Sequence, residues 1–164
     1  INLLGGPGVG KSTVATGLFS QMKQRKISCE YVSEYAKEVT WEETQKLLEN
    51  QIHIFSEQFR RQYRLINKVS YVITNSPLLL NSIYFDYYLE RIKTDELFFT
   101  ADFVDLSRDF FDKSFDQFNN LTYNLERIKD YDKNGRNQSI EEASDIDDRI
   151  KYKLFSRKMG KNSK

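Results

Sequence analysis

Nine consecutive residues constrain this chain more than any others: Gly5, Gly6, Pro7, Gly8, Val9, Gly10, Lys11, Ser12 and Thr13. Their spacing is G-x-x-x-x-G-K-[ST]. Residues 1–4 read as a short buried strand running into this turn, and 14–23 as a helix leaving it. Strand, glycine turn, helix is the order in which successive backbone N–H groups can face one anion. The glycines allow backbone conformations closed to residues with a Cβ. Lys11 then reaches the outer phosphates of a triphosphate, the Ser12 hydroxyl ligates Mg²⁺, and the helix N-terminus adds its partial positive charge. A turn that merely joined a strand to a helix would need neither Lys11 nor Ser12. The predicted ATP-binding set is therefore Gly6, Gly8, Val9, Gly10, Lys11, Ser12 and Thr13, with Mg²⁺ on Ser12.

The remaining chain alternates strand and helix patterns. Residues 26–32 read as a second strand ending at Ser33-Glu34-Tyr35, followed by a long helical stretch over 41–65. Residues 71–74 form the third strand, closed by Asn75-Ser76-Pro77, and 78–91 and 101–115 read as helices. A fourth strand is expected over 121–125, then a polar loop, then a helix opened by the capping box Ser139 to Glu142. Such alternation predicts one domain, an α/β three-layer sandwich with a parallel sheet covered on both faces. Ligands of such sheets bind beyond the C-terminal strand ends. The P-loop, Glu34 and Asn75-Ser76 all fall there and should converge.

Composition excludes several classes. The 164 residues suit one domain, and 25 Lys and Arg against 24 Asp and Glu leave no global field to draw the chain to nucleic acid or an acidic membrane. The single cysteine, Cys29, rules out an internal disulfide framework and points to a reducing, cytoplasmic compartment, the host's if the chain is virus-encoded. No apolar run is long enough to span a membrane. The chain opens at Ile1 without methionine, so residues upstream are expected. His53, the only histidine, has no metal-binding partners in sequence and is read as packing.

Glu34 is the candidate general base, since a carboxylate can accept a proton from a hydroxyl attacking the γ-phosphate. Its bland alternative is a solvated acid at a strand end. Glu38 and Glu42 read as ordinary acids of a helix start. In the polar loop, Arg127, Lys129 and Arg136 are placed to neutralise charge on a transferring phosphoryl group, and Arg127 and Arg136 are favoured over plain surface charge. From Arg149 to Lys164 every charged residue is positive. That run suits either a helix C-terminus or a nucleic-acid backbone, and the helix reading is preferred. The Tyr84-Phe85-Asp86-Tyr87-Tyr88 and Phe98-Phe99 clusters read mostly as core, with one or two rings free to stack on a base.

Gly5 to Thr13, Ser33-Glu34-Tyr35-Ala36-Lys37-Glu38, Val72 to Pro77, Leu125-Glu126-Arg127, Asn134 to Gln138 and Glu141-Glu142-Ala143 together resemble one group of small P-loop kinases. The group includes the ribosylnicotinamide kinase domain of a bifunctional NAD-biosynthesis regulator and bacteriophage kinases of 5-hydroxymethyluracil in DNA. The resemblance covers nearly the whole chain. It implies the nucleoside-kinase fold, with a five-stranded parallel sheet and a lid over about 127–138. It also implies MgATP as donor, a nucleoside-like hydroxyl compound as acceptor, free or within DNA, and catalytic roles for Lys11, Glu34, Arg127 and Arg136. Glu34, Tyr35, Asn75 and Ser76 are the acceptor-binding candidates.

Two departures stand out. Relatives of this kind often carry Asp where this chain has Asn75, which brings no negative charge to Mg²⁺. A fifth strand should follow the last helix, yet 157–164 is basic and unlike a strand, so either the strand lies beyond residue 164, the preferred reading, or the sheet has four. Rival classes lack their own motifs. A guanine-specific switch should show Asn-Lys-x-Asp, where Asn67-Lys68-Val69-Ser70 lacks the Asp, and an AAA-type ATPase should carry an Asp-Glu pair where this chain has Asn75-Ser76. A non-catalytic ATP-binding module remains the third alternative, with Asn75 as its best argument.

Overall fold

Leu3 and Leu4 are neighbours in β1 (Asn2–Leu4), and both are buried, yet they belong to different cores. Side chains alternate across a strand. Leu3 therefore packs with Ala15, Met22, Cys29 and Ile73 on one face of the sheet, while Leu4 meets Phe55, Leu79, Phe111, Ile146 and Ile150 on the other. A strand apolar on both faces is what a helix-covered parallel sheet requires. The structure, a computed structural model, describes residues 1–91, 100–128, 131 and 138–162.

The sheet has four parallel strands in the order β2-β3-β1-β4, with β2 at Cys29–Val32, β3 at Tyr71–Thr74 and β4 at Thr122–Asn124. Register places Asn2 beside both Thr74 and Thr122, so β1 lies between β3 and β4. The predicted α/β layering holds. The expected fifth strand is not found among the described residues, and residues 157–162 continue a helix.

Helix α1 (Lys11–Gln24) covers the Leu3 face. The other face carries α3 (Gln51–Tyr63), α4 (Leu78–Leu89), α5 (Ala101–Asp116) and α6 (Ile140–Asn162). Helix α4 lies at the centre of this layer, with Leu78, Leu79, Leu80, Ile83, Phe85 and Tyr87 all buried. At roughly 1.5–3 kcal/mol for each large apolar side chain taken from water, this helix anchors the layer that closes the site.

The long helix expected over 41–65 is three pieces: α2 (Tyr35–Trp41), a 3₁₀ turn (Gln45–Glu49) and α3. Glu43 breaks the run with φ +57°, and the Asn50 side chain caps α3 by accepting from the His53 amide at 3.1 Å. The break turns Leu48 inward against Val39 and Ile54. The capping box that opens α6 forms as read: the Ser139 amide donates to Glu142 Oε2 at 2.8 Å, and Ser139 Oγ accepts from the Glu142 amide at 3.3 Å.

Among the described residues, several cations of the basic run at the end of the chain are internally paired. Arg149 bonds Glu90 and Asp145, Lys153 bonds Asp112, and Arg157 bonds Asp116. The acids that neutralise this run lie on or beside α4, α5 and α6 itself, which a linear reading of charge does not reveal.

Candidate functional site

The C-terminal ends of β1, β2 and β3 open on one cavity of about 300 Å³. Gly8, Gly10, Lys11, Ser12 and Thr13 line it from the P-loop, Glu34 and Ser76 from beyond β2 and β3, and Leu48, Ile54, Leu80, Tyr84 and Tyr88 from the 3₁₀ turn, α3 and α4. Of the residues singled out from sequence, Gly6, Val9, Tyr35, Asn75 and Arg127 lie outside this wall, and Arg136 and Lys129 fall outside the described residues.

At the P-loop end, Gly8 and Gly10 adopt φ +82° and +97°, left-handed conformations that glycine takes at least cost. Gly10 is the N-cap of α1, and no side chain caps the helix or places an acid in its first turn. The first amides of α1 are thereby left to an anion. Lys11 is buried, and its Nζ donates to the carbonyls of Gly5 and Gly6 at 2.7 and 3.0 Å. At Gly6 a Cβ would stand 2.6 Å from the Ala143 carbonyl oxygen, so glycine there permits close packing on α6.

Asn75 stands behind Ser12. It is 1 % exposed, its Nδ2 donates to Ser12 Oγ at 2.8 Å, and its Oδ1 is buried without a partner among the described residues. A serine oxygen has two lone pairs. One is taken by Asn75, and the other is left for a cation. The donor set therefore fits Mg²⁺ through Ser12 and phosphate oxygens, with Asn75 orienting the hydroxyl. No group of three or more His, Cys, Asp or Glu among the described residues gathers to hold a metal.

Glu34 is the N-cap residue of α2, with an extended backbone that points its chain out of β2. Gln58, 1 % exposed on α3, holds the backbone on both sides of it: Oε1 accepts from the Tyr35 amide at 3.0 Å and Nε2 donates to the Ser33 carbonyl at 3.2 Å. Tyr31 and Tyr84 flank the Glu34 carboxylate electrostatically. Burial first, and Glu34 second, push both phenols above their ordinary range, with the Ser12 hydroxyl opposing the shift at Tyr31. Both phenols therefore stay protonated and can donate hydrogen bonds at neutral pH.

Tyr35 turns away from the cavity. Its hydroxyl meets His53 Nε2 at 3.0 Å, and the Arg61 guanidinium lies 4.8 Å from its ring centre. Glu38 is held by Arg61 through two bonds of 2.6 Å. Both residues fix α2 against α3, and His53 has the packing role read from sequence.

The far end of the cavity is apolar with two amides. Tyr84 and Tyr88 stack with centroids 6.3 Å apart, while Gln51 and Asn81 contribute buried side chains. Gln51 Nε2 donates to the Leu48 carbonyl at 2.5 Å, whereas Asn81 Oδ1 is buried with no partner. Trp41, 62 % exposed, stands at the rim with Lys37. Of the aromatic clusters, Phe98-Phe99 lies outside the described residues.

Arg127, singled out as a lid residue, is tied to α6: its Nη2 donates to Asp147 Oδ2 at 2.8 Å. Asp147 Oδ1 accepts from the Gly6 amide at 2.5 Å. Sequence reading missed Asp147, Gln58, Gln51 and Asn81. The last three sit on helical faces that read only as packing, and Asp147 is one of several acids in the first half of α6. An amide or acid at a buried helical register was the available signal.

A family model described as an AAA domain matches residues 1–159 of the chain. No curated protein and no solved structure matches it. An AAA-type ATPase is expected to carry an Asp-Glu pair after β3. The match restores that class, while the position itself holds Asn75-Ser76.

Proposed function

The chain belongs to that AAA-domain family, and we propose that within it the chain is an ATP-dependent phosphotransferase acting on a hydroxyl of a small nucleoside-like acceptor. The observation that carries this reading is Glu34. Its carboxylate makes no hydrogen bond or ion pair among the described residues, and it lines the cavity between the P-loop and a side chamber. A domain that only hydrolysed ATP would need room for water alone. Here a chamber with an apolar wall, two phenols and two amides adjoins the P-loop, as a planar acceptor carrying polar groups requires.

In this mechanism the loop amides and Lys11 hold the triphosphate. Ser12, steadied by Asn75, would hold Mg²⁺, which when bound neutralises phosphate charge. The acceptor hydroxyl lies between Glu34 and the γ-phosphate. Its oxygen bonds to the γ-phosphorus, the bond to the ADP oxygen breaks, and the hydroxyl proton passes to Glu34. The Tyr84 hydroxyl, kept protonated by burial, orients the acceptor.

Internal pairing of Arg149, Lys153 and Arg157 favours a free small acceptor over a DNA strand, because these three cations are already held by acids of the same chain. Glu34→Gln tests the reading. The expected result is transfer slowed by about 100-fold or more, with ATP-analogue affinity unchanged within about twofold. Unchanged turnover would remove Glu34 as base. A panel of free 5-hydroxymethyldeoxyuridine, DNA containing that base and ribosylnicotinamide identifies the acceptor, with a free nucleoside expected to be phosphorylated faster than DNA.

A further inference from the structure

We propose that Asp147 is a positioning residue that joins the P-loop to Arg127 and aims Arg127 at the γ-phosphate of a bound triphosphate. Two oxygens of one carboxylate serve two separate segments: Oδ1 accepts from the Gly6 amide, after β1, and Oδ2 from Arg127 Nη2, after β4. The pair is largely enclosed, with side-chain exposures of 18 % for Arg127 and 16 % for Asp147. Solvent therefore screens it less than a surface ion pair.

The fit of α6 against the loop makes this bridge possible. A Cβ on Gly6 would lie 2.6 Å from the Ala143 oxygen and 2.7 Å from Asp147 Oδ1, so only glycine admits the helix this close. One turn separates Ala143 from Asp147 along α6, which presents both to the loop. The capping box at Ser139 fixes where that helix begins, and hence the register of Asp147.

Arg127 is only half used. Its Nη2 is bound to Asp147, while Nη1 is buried with no partner among the described residues. That nitrogen lies 3.2 Å from where a Cβ on Gly8 would stand, and Gly8 lines the phosphate end of the cavity. The Tyr131 ring, 5.5 Å from the Arg127 guanidinium carbon, packs over Gly8 from the same side. Buried donors without partners are rare, and a guanidinium has paired donors suited to phosphate oxygens. Arg127 thus has one nitrogen anchored and one free to receive the terminal phosphate. The carboxylate sets its direction without itself meeting the nucleotide.

The γ-phosphate assignment rests on the phosphotransfer reading above, but its test uses binding alone. Affinities for a non-hydrolysable ATP analogue and for ADP are measured by calorimetry in the unaltered chain, Arg127→Ala, Asp147→Asn and the double variant. Arg127→Ala is expected to reduce the preference for the ATP analogue over ADP by about tenfold, and Asp147→Asn by a similar factor. The double variant should match the worse single variant, because the two act as one unit. An unchanged ATP-to-ADP ratio in Arg127→Ala overturns the proposal even if Asp147→Asn fails to fold. A ratio that falls in Arg127→Ala and not in a folded Asp147→Asn overturns the role of Asp147. If no acceptor is phosphorylated yet the ratios fall as expected, the positioning unit stands and the kinase reading fails.

Discussion

Asn75 donates a hydrogen bond of 2.8 Å to the hydroxyl of Ser12, so an uncharged amide supports the P-loop serine from behind. The amide supplies orientation without charge. Asn75→Asp is expected to lower the Mg²⁺ concentration needed for half-maximal ATP turnover by several-fold, because a carboxylate adds attraction for the cation. Asn75→Leu is expected to raise it. Titrating Mg²⁺ at fixed ATP checks both directions.

Gln58 makes a second orienting contact, through the backbone on either side of Glu34. Gln58→Leu keeps most of the volume and removes both bonds. It should slow transfer by about tenfold with little change in ATP affinity, and lower stability by about 1 kcal/mol because two part-buried backbone groups lose partners. Steady-state kinetics alongside chemical denaturation separates the two effects.

Asn81 is expected to behave in the opposite sense for stability. Its Oδ1 is buried and unpaired, so Asn81→Leu should leave the fold as stable or raise stability by about 1 kcal/mol. The same substitution should raise the acceptor KM while leaving the KM for ATP unchanged, since Asn81 lines the cavity from α4 and not from the P-loop. A fall in stability with unaltered acceptor KM would place Asn81 in packing alone.

Acid stability follows from two depressed carboxyls. The Arg61 guanidinium, mainly by hydrogen bonding, holds Glu38 below the ordinary carboxylate range. The Ser139 amide first, then the Tyr87 hydroxyl, do the same for Glu142. A folded-state value below the unfolded one means that the contribution is fully present above the ordinary carboxylate range and is lost as pH falls through the lower folded value. Thermal midpoints should therefore fall as acid is added below about pH 4.5. Glu38→Gln and Glu142→Gln should each flatten that fall, Glu142→Gln also loosening the start of α6.

Sequence legibility followed how local the determining interaction is. The P-loop was readable because strand, glycines, Lys11 and Ser12 are contiguous, and the Ser139 cap because it spans four residues. The break between α2 and α3 was hidden, since apolar spacing continues through 41–65 while Asn50 and a positive φ at Glu43 interrupt the backbone. Tyr35 carried the same local signal as Glu34, yet one residue of rotation sends it toward His53 and away from the cavity. Asp147 and Gln58 were out of reach because their partners lie 141 and 23 residues away, joined only by the fold. The pairing of the basic end was hidden for the same reason, its neutralising acids lying largely on other helices.

The fate of the γ-phosphate tests the central claim most directly. Phosphorus NMR of the protein with ATP, Mg²⁺ and the nucleoside panel follows ADP, inorganic phosphate and phosphomonoester together. The account expects a phosphomonoester signal growing in equal proportion to ADP with one of these acceptors, and its loss in Glu34→Gln. Inorganic phosphate as the sole partner of ADP, whichever acceptor is present, would contradict it and leave a hydrolytic P-loop domain in its place.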